Sequence, residues 1–204
     1  MRVLDEDAGA ALVVVLIASA LAASIGLGLV TLSNTERAIA ANYQAAVESR
    51  HAAEAVLERA LVDVRQAADL TTLTSGSLQS TFVWGGLTPV TPAGRQLDLF
   101  ALTAAVQAGV DTTRWGADSP EWRLFAYGPL ARLGVAGDVP SLYYGVVWLA
   151  DDPADGDGNP SVDTNGVVMV LAESFGPGAV RHAVIATVEG AGRLVVRSWR
   201  DYWP

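Results

Sequence analysis

The stretch AGAALVVVLIASALAASIGLGLVTLSNT, residues 8–35, decides how this chain is built. It runs for about 28 residues without a charge or a proline, and a bilayer core needs roughly 20 apolar residues in a helix. About twelve of its residues are Leu, Val or Ile (Leu12 to Ile17, Leu21, Ile25, Leu27, Leu29, Val30 and Leu32). At roughly 0.3–0.6 kcal/mol each, they favour insertion by several kcal/mol. A cleavable secretory signal fits poorly. Its apolar core spans about 7–15 residues and is closed by a small-residue cut site. Here Ser33-Asn34-Thr35-Glu36 leads straight into more helical sequence.

From Ile39 onward, Tyr43, Ala46, Val47, Ala53, Val56, Leu57, Ala60, Leu61 and Val64 recur at spacings of three, four and seven. That is one face of an amphipathic helix, and Glu48, Arg50, Glu54, Glu58, Arg59, Asp63 and Arg65 supply its polar surface. No proline interrupts the chain up to about Ala68. At about 1.5 Å per residue, a helix from Ala10 to Ala68 extends roughly 90 Å, too long to be one domain's private core. The expected organisation is a leader over 1–9 and a helix over 10–70, divided at residue 35 into an apolar and an amphipathic part. A head over 71–204 follows.

Three pieces of this region resemble a known group. They are Gly9-Ala10-Ala11-Leu12-Val13, Thr35-Glu36-Arg37-Ala38-Ile39-Ala40-Ala41-Asn42, and Ala52-Ala53-Glu54-Ala55-Val56-Leu57. At these spacings the chain resembles PilX-like minor pilins of type IV pili, within the class III prepilin group, over roughly residues 8–65. The resemblance implies an α+β, type IV pilin-like fold, a long N-terminal transmembrane helix packed against a C-terminal antiparallel sheet. It implies that a prepilin peptidase cuts between Gly9 and Ala10, making Ala10 the new, methylated N-terminus. It further implies partners: other pilins through the helix, an inner-membrane assembly platform, and the bilayer. The location implied is the bacterial inner membrane, single-pass with the head outside the cytoplasm, and then the extracellular filament.

Two positions refine that resemblance. Most pilins carry Glu at the fifth mature position, where this chain has Val14; PilX-like pilins and the K-type pseudopilins of type II secretion also lack it. A minor subunit that primes or decorates the filament is therefore implied, with a type II pseudopilin as the alternative. Gly26 and Gly28 each cost a helix interior roughly 1 kcal/mol against Ala. They read either as ordinary membrane-helix glycines or as a segment that loosens on filament entry. The leader departs from the pattern, since Arg2 faces Asp5, Glu6 and Asp7 where prepilin leaders are basic.

The formal charge of −9 and pI of about 4.5 disfavour a nucleic-acid partner. There is no Cys, so no disulfide closes the head, which must stand on packing or on a metal. Beyond a polar stretch from Thr71 to Ser80, the head reads as mostly β. A short helix is expected over Leu97 to Ala108. Strands are expected over Trp122–Tyr127, Leu142–Leu149, Gly166–Glu173, Arg181–Glu189 and Arg193–Trp199, the last two joined by Gly190-Ala191-Gly192. Trp199, Tyr202 and Trp203 are expected to close the end of the sheet or to form a docking surface.

One segment has the donors for metal chemistry, from Asp151 to Asp163. Oxygens alternate at Asp155, Asp157, Asn159, Ser161 and Asp163, as in the first nine positions of a calcium loop. Pro160 stands where that loop turns on Gly, and no Glu occupies the twelfth position. A solvated acidic turn uses the same residue types. Ca²⁺ is thus the one cofactor expected, and none is required. A membrane-anchored, calcium-dependent extracellular binding module is a further alternative. No enzymatic role is expected, because His51 and His182 lack ligand spacing and neither a phosphate loop nor a nucleophile elbow occurs.

Overall fold

A computed structural model describes residues 4–134, 140–190 and 192–202. Part of the expected leader, the middle of the Gly190–Gly192 connection and Trp203 lie outside these residues. Helix α1 spans Leu4–Gln66, ending within a few residues of its expected boundary. The chain divides into two compact units, Met1–Gln44 and Ala45–Pro204.

In the first unit α1 is uncovered. Every residue from Gly9 to Leu32 is exposed, at a mean hydropathy of 2.5 in the most apolar window. Three of its hydroxyls are paired within the helix: those of Ser24, Thr31 and Thr35 donate to the carbonyls four residues before them, at 2.7–3.0 Å. A helix with its polar groups paired internally is what hydrocarbon tolerates. By length and composition it can cross a membrane. Ile39 and Tyr43, expected on the packed face, are 63 and 72% exposed within this unit.

In the second unit the amphipathic face does pack. Ala53, Val56, Leu57, Ala60 and Val64 are fully buried. They meet a five-stranded antiparallel meander: β1 (Arg123–Pro129), β2 (Tyr144–Asp151), β3 (Val167–Phe175), β4 (Arg181–Glu189) and β5 (Val195–Tyr202). Four of the expected strands are displaced by one to three residues, and β4 lies where expected. Strand alternation sorts side chains to two faces. Val147, Leu149, Val168, Val170, Ala172, Val184, Ala186 and Val188 join the α1 residues in one cluster. Tyr144, Val146, Trp148, Leu171, Phe175 and Ile185 form the second cluster, with Leu99 and Val106. With both faces covered, all eight residues of β2 are buried, which is why it reads as a continuous apolar run.

Shorter helices complete the head: α2 (Thr71–Thr74), α3 (Leu99–Ala108) and α4 (Thr112–Trp115). The Asp98 carboxylate caps α3 by accepting from Ala101 N at 2.9 Å. Trp148 Nε1 donates to Thr103 Oγ1 at 2.8 Å, tying α3 to β2.

Asp63 of α1 fixes the returning chain. Its carboxylate accepts from Arg59 at 2.8 Å, from Thr81 N at 2.8 Å and from the Ser80 hydroxyl. Burial alone would lift this carboxyl. The bonds from Ser80, Arg59 and Thr81 outweigh it and hold the group below its ordinary value. So anchored, Ser80–Trp84 pairs along the outer edge of β1, with Tyr127 N donating to Phe82 O and Trp84 N to Tyr127 O, both at 2.9 Å.

Candidate functional site

Two regions carry the residues expected to function. The first is the apolar part of α1. Gly9 and Ala10 lie inside the helix, one turn and more past its start at Leu4, and both are exposed. Val14 is 65% exposed on the same uncovered surface. A Cβ placed on Gly26 or Gly28 would meet nothing within 4 Å, so neither glycine serves a contact within this chain.

The second region is the acidic loop between β2 and β3. Its local fold follows from Asp and Asn side chains capping backbone N–H groups. Asp157 Oδ1 accepts from Asn159 N at 2.8 Å, and Asn159 Oδ1 from Ser161 N at 3.2 Å. Asp155 takes Thr164 N at 2.7 Å together with the Thr164 hydroxyl. Asp163 Oδ1 accepts from Gly166 N and Val167 N at 2.8 and 3.0 Å, closing the loop onto β3. Thr71 and Thr74 of α2 donate to the carbonyls of Asp163 and Ser161, seating the loop on the head. The Ser161 hydroxyl meets Arg123 at 3.0 Å.

Of the expected ligands, Asp155 and Asp163 come together, and Asp157 is not part of their group. The third member is Asp151, the last residue of β2, which the alternating pattern did not single out. Carboxylate oxygens of Asp151, Asp155 and Asp163 all lie within 4.8 Å of one another. Ligands around Ca²⁺ at about 2.3–2.6 Å are at most roughly 5 Å apart, so the three fit one coordination sphere. Asp151 is 3% exposed, and only its Oδ1 bond to Asp152 N, at 3.0 Å, draws its carboxyl down. Burial, then the charges of Asp155 and Asp163, push it up to about 7. Asp163 is raised as well, by burial, against the two backbone N–H groups it accepts from. The arrangement can release its repulsion by holding a proton or a hard cation.

The sequence could have shown Asp151 by phase alone, since it follows Val147 and Leu149 on the helix-facing side of β2. The histidines are separate. His51 Nδ1 contacts Glu54 at 3.1 Å on the surface of α1, and His182 Nε2 contacts Asp201 at 3.2 Å. Tyr202 packs against the second cluster, while Trp199 is 38% exposed.

No family model matches this chain, and neither does any curated protein or solved structure.

Proposed function

We propose that the chain is a structural, non-catalytic subunit of a type IV pilus, a minor pilin that primes or decorates the filament. One observation carries this reading. A single helix is apolar on every side and uncovered over its first part, then supplies the buried wall of a β-rich head over its last part. Such a helix suits a subunit that is stored in lipid and later packs against copies of itself. On this reading the prepilin peptidase cuts between Gly9 and Ala10. The head stands outside the cytoplasm, and the absent carboxylate at Val14 fits a minor rather than a bulk subunit. A type II secretion pseudopilin shares these traits, and neighbouring genes distinguish the two.

The test is intact-mass measurement of the chain expressed with and without a prepilin peptidase. The expected product begins at Ala10 and carries one added methyl group. An unchanged mass in the presence of active peptidase sinks both filament readings.

The cluster of Asp151, Asp155 and Asp163 favours a second reading, a membrane-anchored module whose head binds through Ca²⁺. Carboxylate oxygens are hard ligands suited to that ion, with carbonyls and waters completing its sphere. Titrating the head with millimolar Ca²⁺ in a calorimeter tests it. No heat and no rise in melting temperature would dismiss the ion.

A further inference from the structure

β5 is the least covered strand of the head. Seven of its eight residues are exposed, among them Val195, Val196 and Trp199 at 47, 45 and 38%. The opposite edge of the sheet is closed by Ser80–Trp84 lying along β1. Among the described residues, nothing pairs with the outer edge of β5. An eight-residue edge with an open row of N–H and C=O groups is a template for another strand.

The side chains say which strand fits. We propose that β5 pairs antiparallel with β5 of a second copy, Trp199 opposite Trp199. That register sets Ser198 against Arg200, twice about the two-fold axis. Aromatic pairs and opposite charges directly across a ladder stabilise it, and like charges there destabilise it. Centring on Arg197 or Arg200 instead places two arginines face to face. Centring on Ser198 leaves Asp201 against Val195. Arg197 and Asp201 are engaged within the chain, by Glu189 and by His182, so the register rests on Trp199. A bulge at Arg197, where the β4 register shifts between Thr187 and Val188, ends the regular ladder there, so the pairing is carried by Ser198, Trp199 and Arg200.

The pairing has a geometric consequence. Within the head, α1 runs opposite to β5, since Arg50 lies 3.8 Å from Asp201 and Arg65 donates to Gly192 O at 3.3 Å. A two-fold axis normal to the sheet therefore sets the two head helices antiparallel, with their Ala45 ends at opposite ends of a joined sheet. The contact is isologous and closes on itself.

The absence of cysteine makes an introduced thiol unique. Full-length chain in detergent is prepared as Ser198→Cys and as Arg200→Cys, then oxidised alone and mixed. The expected result is a covalent dimer from the mixture and little from either alone, because residue 198 faces residue 200 and disulfides need close Cβ atoms. Trp199→Lys in both variants, which puts like charges on the axis at an exposed position, is expected to abolish that dimer. The proposal is overturned if the full chain sediments as a monomer throughout the micromolar range. It is equally overturned if either variant alone cross-links as well as the mixture, or if Trp199→Lys leaves the yield unchanged. None of these readouts depends on cleavage at Gly9, so they stand apart from the pilin reading.

Discussion

Replacing Gly145 by alanine tests how α1 is seated on the sheet. Gly145 lies on the helix-facing side of β2, where an added Cβ would stand 2.2 Å from Val56 Cγ2, 2.8 Å from Cγ1 and 3.0 Å from Cβ. Carbon atoms in contact prefer about 3.5–4.0 Å, so the helix must retreat by more than 1 Å or Val56 must turn. A valine within a helix has essentially one χ1 rotamer, which blocks the second escape. Overpacking of this kind costs about 1–3 kcal/mol. Retreat would also loosen Ala53, Leu57 and Ala60, all fully buried, which argues for the upper end. Alanine restricts the unfolded chain more than glycine and returns about 0.4–1 kcal/mol, leaving a net loss of roughly 2 kcal/mol. Val56→Ala alone should cost about as much by opening a cavity. The double variant should lose less than the sum, by about 1 kcal/mol or more, because each change removes the other's clash or void. Both hydrophobic clusters lie within residues 45–204, so that fragment serves, unfolded in urea and followed by the fluorescence of its six tryptophans, of which Trp148 is fully buried. Gly86→Ala, which meets nothing within 4 Å, is the neutral control. A Gly145→Ala head as stable as the parent, or strictly additive losses in the pair, would refute the helix-on-sheet seating.

Three other perturbations probe the buried charges. With chelator present, the head should lose stability as pH rises from about 4 toward 7, because folding holds a proton on Asp151 that the unfolded chain releases near 3.8. The upper limit is roughly 4 kcal/mol, and Asp151→Asn should flatten the profile and remove any gain from millimolar Ca²⁺; urea midpoints across pH decide. Asp63→Ala should cost about 3 kcal/mol, since it strands Arg59, Ser80 and Thr81 N. In the parent, the depressed carboxyl of Asp63 contributes stability that is lost only as pH falls below about 4, which a matched series with Asp63→Asn would reveal. Arg181→Ala leaves Glu173, 4% exposed and already raised by burial, without the cation at its carboxylate. It should lose about 3 kcal/mol at pH 8 and recover as the pH drops, and Glu173→Gln in the same chain should restore much of the loss.

What the sequence made legible was periodic. The three-four-seven spacing from Ala53 to Val64 marks the buried wall of α1, and the strand order follows from apolar runs bounded by Gly, Pro and Asp. Ile39 and Tyr43 continue the same spacing, yet within the first unit they are exposed. Periodicity reports which face is apolar, and only tertiary context says whether something lies against it. The closing of the β1 edge was hidden for a different reason. Ser80–Trp84 is placed by a carboxylate at Asp63 seventeen residues away, and no local signal marks that bond.

The acidic loop shows the same distinction at the scale of single atoms. A calcium loop and an Asx turn ask for identical residues, and the sequence alone cannot say whether an oxygen faces a cation or a backbone N–H. In the folded loop Asp157 and Asn159 each give an oxygen to the N–H two residues on, so the alternation that suggested ligands also bends the chain. That bending brings Asp155 and Asp163 back beside Asp151, whose own position comes from the pleat of β2. The cluster therefore joins a carboxylate fixed by the sheet to two carboxylates carried by the turns. Lengthening or shortening the loop between Asp155 and Asp163 would separate the three without touching Asp151. The upward shift of Asp151 should then fall back toward what burial alone imposes.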